Sequence, residues 1–333
     1  MISVAVIALC LQSGPAVQPP TVAPEKVTQL ADTVAKAMPD GRRLECHMTS
    51  TIWNHWAKDG ALNPAKEAPI LKQKFTFRAF GPMRAVLIDP KTSYAHVEAN
   101  GFHYSVATGE RSAFVDRGSS DRAGLGLSLA LQLDQYSPLN SSKPIAETLR
   151  TSTPISLVSN GSVMTYRFIA AANEKLAKQA LEKDPLAKAW QQEILVDTSD
   201  PPRVLGWSAE VPSTPPWTDR WVVETWQTLD GKPFPQRVRR EVAPLSAEMT
   251  QVFPGDMQIQ IVEITDLASI PADVATPHPV AEGTRVVDSK LGFEFVAGST
   301  DIVLKGRSLR LKEPLWEHPG DKLDELVRGG TVR

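Results

Sequence analysis

Two histidines and a glutamate are the residues whose types and spacing come closest to a chemical site. His96, Glu98 and His103 flank Asn100-Gly101, a dipeptide that favours a two-residue type I′ turn between two strands. Such a turn pairs Glu98 with His103 and places His96 on the same face of the hairpin. Two imidazoles and one carboxylate can bind a transition metal with open coordination positions, as a metal-dependent enzyme requires. The alternative is a solvated polar face on which Glu98 pairs with His103.

Other catalytic signatures are weaker. The segment Gly126-Leu127-Ser128-Leu129-Ala130 resembles a nucleophile elbow without its final glycine, and its leucines fit a buried strand or an apolar helix. The chain has no Walker loop, dinucleotide fingerprint, His-Glu-x-x-His run or calcium loop. Cys46 is in phase with the apolar residues of a strand, which predicts a core residue and not a catalytic thiol. We therefore predict no catalytic residues and no cofactor.

Composition excludes two classes of partner. The 333 residues include 36 basic and 38 acidic side chains, a net charge of −2, which lacks the basic excess of a surface that binds nucleic acid. Apolar residues make up 42% of the chain, as in ordinary folded proteins. No segment approaches the roughly 20 apolar residues that a membrane-spanning helix needs. We expect neither nucleic acid binding nor a transmembrane span in the mature chain.

The first residues predict export. Ile2 to Leu11 is an apolar run, and small residues at Gly14 and Ala16 could supply a cleavage site, although the usual basic residues before the run are missing. We interpret residues 1–16 as a signal peptide and expect a periplasmic or cell-envelope protein. A misassigned start codon, a buried first strand and, through Cys10, a lipid anchor are the alternatives.

The elements that must position these residues are mostly strands. A helix is predicted from Pro24 to Met38, because Pro24 suits the first helical position and Val27, Leu30 and Val34 form one apolar stripe. Apolar and polar residues alternate over most of the following chain, and this period of two is typical of strands with two different faces. A helical insertion is predicted at 173–191, where Glu174 and Lys178 are spaced for an ion pair.

Two hairpins can be placed by their turns. Around Asn100-Gly101, the expected register puts Ala99, Val97, Phe102 and Tyr104 on one apolar face. Around Asn160-Gly161, the same rule pairs Leu157 with Met164 and Ile155 with Tyr166.

These patterns predict an α+β fold that is mainly antiparallel β, with a curved sheet or incomplete β-barrel, an N-terminal helix and a helical insertion. The main β-rich domain is assigned to residues 17–276. Residues 277–333 read as a C-terminal appendage of strands and a short helix, with a boundary near Pro277-His278-Pro279.

A family resemblance follows from segments late in the chain. The residues that carry it are Trp221-Val222-Val223-Glu224-Thr225-Trp226, Phe234-Pro235-Gln236-Arg237-Val238, Ile270-Pro271 and Gly283-Thr284-Arg285-Val286-Val287-Asp288. Together with the leader, the first helix and the interrupted series of strands, they resemble the LolA-type outer-membrane lipoprotein carriers and their exported relatives. That family folds as an incomplete β-barrel around helices, and its apolar concavity holds acyl chains. The resemblance implies a LolA-like fold and a lipid or lipoprotein as partner, without covalent catalysis.

Three functions are compatible with the sequence. The first is an exported, non-enzymatic binding or carrier protein with an apolar concavity. The second is the metal-dependent enzyme built on His96, Glu98 and His103, and the third is a structural envelope protein that contacts a partner through exposed tryptophans. An ordinary filled core is the alternative use of the apolar faces. The candidate ligand residues are Phe75, Phe77, Phe102, Tyr104, Met164, Tyr166 and Trp207.

Overall fold

An open sheet of 18 strands forms the body of the described chain. This computed structural model describes residues 22–37, 42–56, 62–64, 66–81, 84–91, 94–107, 109–117, 136–137, 141–170, 174–183, 191–211, 217–244, 255–329 and 331–332. The signal peptide predicted at 1–16 and the elbow-like segment at 126–130 lie outside the described residues.

The strands and helices are numbered in chain order. The strands are β1 Arg43–His55, β2 Leu71–Phe80, β3 Arg84–Asp89, β4 Tyr94–Ala99, β5 Phe102–Ala107, β6 Ser112–Arg117, β7 Tyr136–Ser137, β8 Ser141–Pro144, β9 Thr153–Asn160, β10 Val163–Ile169, β11 Gln191–Asp197, β12 Arg203–Val211, β13 Trp217–Leu229, β14 Lys232–Ala243, β15 Met257–Ser269, β16 Arg285–Asp288, β17 Phe293–Val296, β18 Ser299–Leu304, β19 Arg307–Leu315 and β20 Thr331–Val332. The helices are α1 Pro24–Ala37, α2 Ile145–Thr151, α3 Glu174–Lys183 and α4 Leu323–Gly329, with a 3₁₀ turn at Gly320–Lys322.

The order of strands confirms the predicted fold class. Hydrogen bonds link β9 through β15 in sequence, then β1 through β6, then β16 through β20. Every pair among the described strands is antiparallel except β6 with β16. Within the described residues the two end strands, β9 and β20, do not pair with each other, so the sheet is curved and unclosed. Among the described helices, none has both the length and the hydropathy that crossing a membrane requires.

Helix α1 has almost the predicted bounds. It ends at Ala37, one residue before the predicted end, and Val27, Leu30 and Val34 are buried as the stripe predicts. The guanidinium of Arg42 donates a hydrogen bond of 2.8 Å to the carbonyl of Ala37, which satisfies one of the carbonyls left unpaired at a helix end. The helix therefore lies on the sheet with its apolar side inward.

The first predicted hairpin is confirmed residue by residue. Ala99 lies opposite Phe102, and Val97 lies opposite Tyr104. Asn100 and Gly101 have positive φ angles of 54° and 79°, as a type I′ turn requires at both central positions.

The second predicted register is wrong by two residues. Tyr166 pairs with Leu157 and Met164 with Ser159, so the turn is Gly161-Ser162 and not Asn160-Gly161. Of these residues only Gly161 has a positive φ, 60°, which fits a type II′ turn with glycine first. Because side chains alternate with period two, a shift of two residues leaves each one on its predicted face.

The helical insertion is shorter than its predicted range. Helix α3 covers Glu174–Lys183 and contains the expected pair of Glu174 with Lys178, at 3.0 Å. Gln191, the predicted end of the helix, is the first residue of β11, and residues 184–190 lie outside the described part of the chain.

Two cores lie against opposite faces of the sheet. The first core joins α1 and α2 to β1–β3 and β10–β15. The second core joins the apolar face of the β4–β6 meander to β16–β19 and α4. Tyr104 in β5 accepts a hydrogen bond of 2.7 Å from the backbone N–H of His318. The segment after 277 thus shares a core with β4–β6, and the boundary near Pro277 stays a prediction.

One glycine marks a close approach between strands next to the first core. A Cβ added to Gly206 would lie 2.3 Å from the backbone oxygen of Trp221, so Gly206→Ala would force β12 away from β13. We expect this substitution to lower the free energy of unfolding by about 1–3 kcal/mol, measured by urea denaturation. Gly109→Ala is the control, because nothing lies within 4 Å of its added Cβ. Equal stability of the two variants would contradict this strand packing.

Candidate ligand-binding site

A small cavity lies between α2 and the strands β10, β11 and β12. The space open to the centre of a water molecule is about 10 Å³, room for about one water. The cavity opens to solvent, and the empty space counted out through this opening is about 280 Å³. The lining residues are Ile145, Thr148, Phe168, Gln192, Glu193, Ile194, Trp207 and Ser208.

Strand alternation and helix spacing bring these side chains together. Gln192 and Ile194 are buried in β11, while Glu193 between them faces the other side, where it pairs with Arg167 at 2.6 Å. The register of β11 with β12 sets Trp207 opposite Ile194. On α2, Ile145 and Thr148 are three residues apart and therefore share one face of the helix.

Three of the lining residues carry buried polar atoms without hydrogen-bond partners. Both amide atoms of Gln192, the hydroxyl of Thr148 and Nε1 of Trp207 are buried and make no hydrogen bond. The three residues are only 3%, 6% and 4% exposed. An unsatisfied buried polar group costs about 1–3 kcal/mol, and native proteins supply nearly all such groups with a partner. The surface of the cavity itself is almost wholly apolar.

Further buried polar groups lie on the next two strands, β13 and β14. The ring of Trp207 stacks on that of Trp221, with centroids 6.0 Å apart, and Trp221 Nε1 also lacks a partner. The guanidinium of Arg240 lies 4.9 Å from the centre of the Trp221 ring and binds both carboxylate oxygens of Asp219, at 2.8 and 2.6 Å. The face that carries the apolar first core therefore also carries a line of buried hydrogen-bonding groups.

The structure divides the predicted ligand residues between the two cores. Four of the seven, Phe75, Phe77, Tyr166 and Trp207, are buried in the first core, and Met164 packs against it half-buried. The remaining two, Phe102 and Tyr104, belong to the second core. The register explains the division, because the residues of β4 and β5 that align with Phe77 and Leu87 are His96 and Ser105. The seven side chains do not line one cavity.

The proposed metal ligands form a different arrangement. His96 and His103 stack with ring centroids 5.4 Å apart, and His96 Nδ1 lies 3.3 Å from His103 Nε2. Glu98 lies directly across from His103 and is half-buried. Within the described residues, no three or more His, Cys, Asp or Glu side chains are grouped to hold a metal ion. The structure brings together a histidine pair and no set of three ligands.

Burial controls the charge of this histidine pair. It lowers the pKa of His103 to about 4, with a further contribution from His96 and an opposing one from Asp116. Burial also lowers the pKa of His96, against the opposing charge of Asp89. The predicted solvated face is therefore wrong for His103, which is 2% exposed, because this side of the hairpin continues the face of the first core. Both imidazoles are neutral at pH 7.

Gln192 and Thr148 were not among the residues predicted from the sequence. Neither residue belongs to a motif, and both are uncharged. The available signal was the phase of Gln192 with Ile194 and Val196, which places an amide at an inward position of a strand. Cys46, predicted as a core residue, is buried in β1.

Solved structures similar to this one include a LolA superfamily protein of Nitrosomonas europaea, with 12% sequence identity and a TM-score of 0.44, covering 77% of this chain and 98% of that one. A DUF1329 family protein of Desulfovibrio piger matches with 9% identity and a TM-score of 0.44, over 76% of this chain and 94% of that one. No protein-family model and no curated protein matches the sequence. Both likenesses concern the fold alone.

Proposed function

We propose that this chain is an exported, non-enzymatic binding or carrier protein that holds an apolar ligand, such as the acyl chain of a lipid or lipoprotein. The observation that supports the proposal is the cavity beneath α2, whose surface is almost wholly apolar. Export rests on the leader predicted at 1–16. No catalytic group is required for this function.

Apolar burial supplies the binding energy for such a ligand. Each buried methylene contributes about 0.8 kcal/mol, so six contribute about 5 kcal/mol before the costs of binding. Ile145, Phe168 and Ile194 offer the apolar surface. A ligand longer than a few atoms needs more room than one water, so α2 must move away from the sheet.

Polar and apolar contacts both hold α2 in place. Arg150 of α2 pairs with Asp32 of α1 at 2.6 Å, and both side chains are largely exposed, so the pair contributes about 0–1 kcal/mol. Ser152 hydrogen-bonds the hydroxyl of Tyr166 at 2.9 Å, directly after the helix. Most of what holds α2 is the apolar contact of Ile145 and Leu149, which an acyl chain can replace.

Binding of the neutral fluorescent probe N-phenyl-1-naphthylamine tests the proposal. Ile194→Phe puts a larger side chain into the cavity and leaves less space for a ligand, so it is expected to weaken probe binding about tenfold, or about 1.4 kcal/mol. Leu195→Phe is the matched control, because the next residue of β11 faces the other side of the sheet, and it should bind the probe like the unmodified protein.

Mass spectrometry of material extracted from the purified protein is the second measurement. Acyl lipid is expected to be released from the unmodified protein and to be reduced in Ile194→Phe. A protein that yields no lipid and binds no probe would rule out the carrier function.

A further inference from the structure

We propose that one corner of the sheet, the apolar residues 68–71 with the lysines on either side of them, docks on a membrane surface that contains anionic phospholipid. This corner lies where the chain enters β2. It shares none of the described residues that line the cavity beneath α2. Membrane docking is therefore separate from the carrier function.

Four consecutive residues at this corner are apolar and exposed. Ala68 and Pro69 lead into Ile70 and Leu71, whose side chains are 41% and 42% exposed. Single apolar side chains are common on protein surfaces, whereas a continuous exposed group of them marks a surface that binds a protein or a membrane. Insertion into a lipid interface would remove this apolar surface from water.

The sheet holds these residues at a projecting edge. β2 begins at Leu71, yet its pairing with β3 begins only at Thr76. Among the described strands, residues 71–75 of β2 therefore pair with β1 alone, and the start of β2 extends beyond β3. The connection between β1 and β2 also carries Trp56, which is 37% exposed and belongs to a residue type enriched at membrane interfaces.

Hydrogen bonds hold the backbone on both sides of the apolar residues. The carboxylate of Glu67 binds His55 Nδ1 at 2.9 Å and accepts the backbone N–H of Asn63 at 2.9 Å. The backbone N–H of Ile70 donates to the carbonyl of Ile52 at 2.8 Å. Because the segment is held in place before it meets a membrane, docking loses less conformational entropy than it would for a free loop.

The charges at this corner favour an anionic surface. Residues 66–74 contain Lys66, Lys72 and Lys74 and one acid, Glu67, a net charge of +2 in a chain whose net charge is −2. All three lysines are exposed. Lysines beside apolar side chains strengthen membrane binding through attraction to anionic head groups. A second copy of the chain fits this corner less well, because like charges would meet.

Co-sedimentation with lipid vesicles tests the docking surface. The protein is expected to bind vesicles of phosphatidylglycerol at least about tenfold more tightly than vesicles of phosphatidylcholine, and added salt should weaken that binding. Ile70→Ser with Leu71→Ser should weaken binding to phosphatidylglycerol at least about tenfold. The matched control is Val274→Ser with Leu291→Ser, because each of those side chains is 44% exposed outside this corner.

Lys72→Gln with Lys74→Gln tests the contribution of charge. We expect about tenfold weaker binding to phosphatidylglycerol and a smaller dependence on salt. Lys312→Gln with Lys322→Gln removes two exposed lysines elsewhere and should bind like the unmodified protein. Urea denaturation should give nearly equal free energies of unfolding for all of these variants, since every change is at the surface.

Three results would overturn membrane docking at this corner. They are no binding to phosphatidylglycerol, unchanged binding by the Ile70→Ser/Leu71→Ser protein, and a dimer in size-exclusion chromatography that these two substitutions convert to a monomer. The last result would assign the corner to a contact between copies. Ile194→Phe is expected to bind vesicles like the unmodified protein, so failure of the carrier function would leave this result unaffected.

Discussion

Phe293→Ala is expected to lower the free energy of unfolding by about 3–5 kcal/mol, the usual cost of removing a buried phenylalanine. Phe293 is 1% exposed, and its ring contacts Phe295 at 5.6 Å and His318 at 5.3 Å between centroids. Its partners in the second core include Val97 and Tyr104, almost 200 residues earlier in the chain. Loss of the ring should therefore weaken β4 and β5 together with the C-terminal strands.

Hydrogen exchange measures how far that effect extends. Amides of β4–β6 and of β16–β19 are expected to lose protection in parallel, while amides of α1 and β1 keep more of theirs. Leu291→Ala is the control, since that side chain is 44% exposed and surface changes usually shift stability by less than about 0.5 kcal/mol. If only residues after 277 lost protection, the C-terminal segment would be an appendage in the energetic sense, contrary to the shared core.

Acidification is expected to destabilise the protein through its buried histidine pair. An unfolded histidine takes up a proton near pH 6.5, whereas the folded pKa of His103 is about 4. Between these values the unfolded state binds more protons, so the free energy of unfolding falls as the pH drops from about 6.5 to about 4 and changes little through this group outside that window. The loss from His103 amounts to about 3 kcal/mol.

Urea denaturation at pH 7.5, 5.5 and 4 measures this loss. His103→Gln should flatten the dependence on pH between 6.5 and 4. His47→Gln is the matched control, because the His47 ring is 57% exposed on β1, and it should keep the dependence of the unmodified protein. A His103→Gln protein with an unchanged pH profile would show that this imidazole is protonated without cost in the folded state.

Local signals in the sequence predicted the elements well. The stripe of α1 and the Asn100-Gly101 turn each depend on residues close in the chain, and both were confirmed. The predicted register of the second hairpin was wrong because Asn160-Gly161 and Gly161-Ser162 both permit a two-residue turn, and the chain adopts the second.

The site could not be predicted in the same way. The alternation of apolar and polar residues assigns Tyr104 and Phe77 each to one face of its own strand. It does not predict which face of the sheet a distant segment covers. The register places Tyr104 and Phe77 on opposite faces of the sheet, and the C-terminal strands cover the face that carries Tyr104. Gln192 carried no motif, since its importance lies in the absence of a hydrogen-bond partner among the described residues, which only coordinates reveal.

The parallel pairing of β6 with β16 also sets the order in which parts of the fold can form during synthesis. Val286 of β16 pairs with Ala113 of β6. The apolar side of β4–β6 can therefore be buried by the C-terminal strands only after about 170 further residues have been made. At the usual pace of translation this takes roughly 10–35 seconds. Throughout that interval the apolar side of the hairpin around Phe102 lacks the C-terminal strands that bury it in the folded protein.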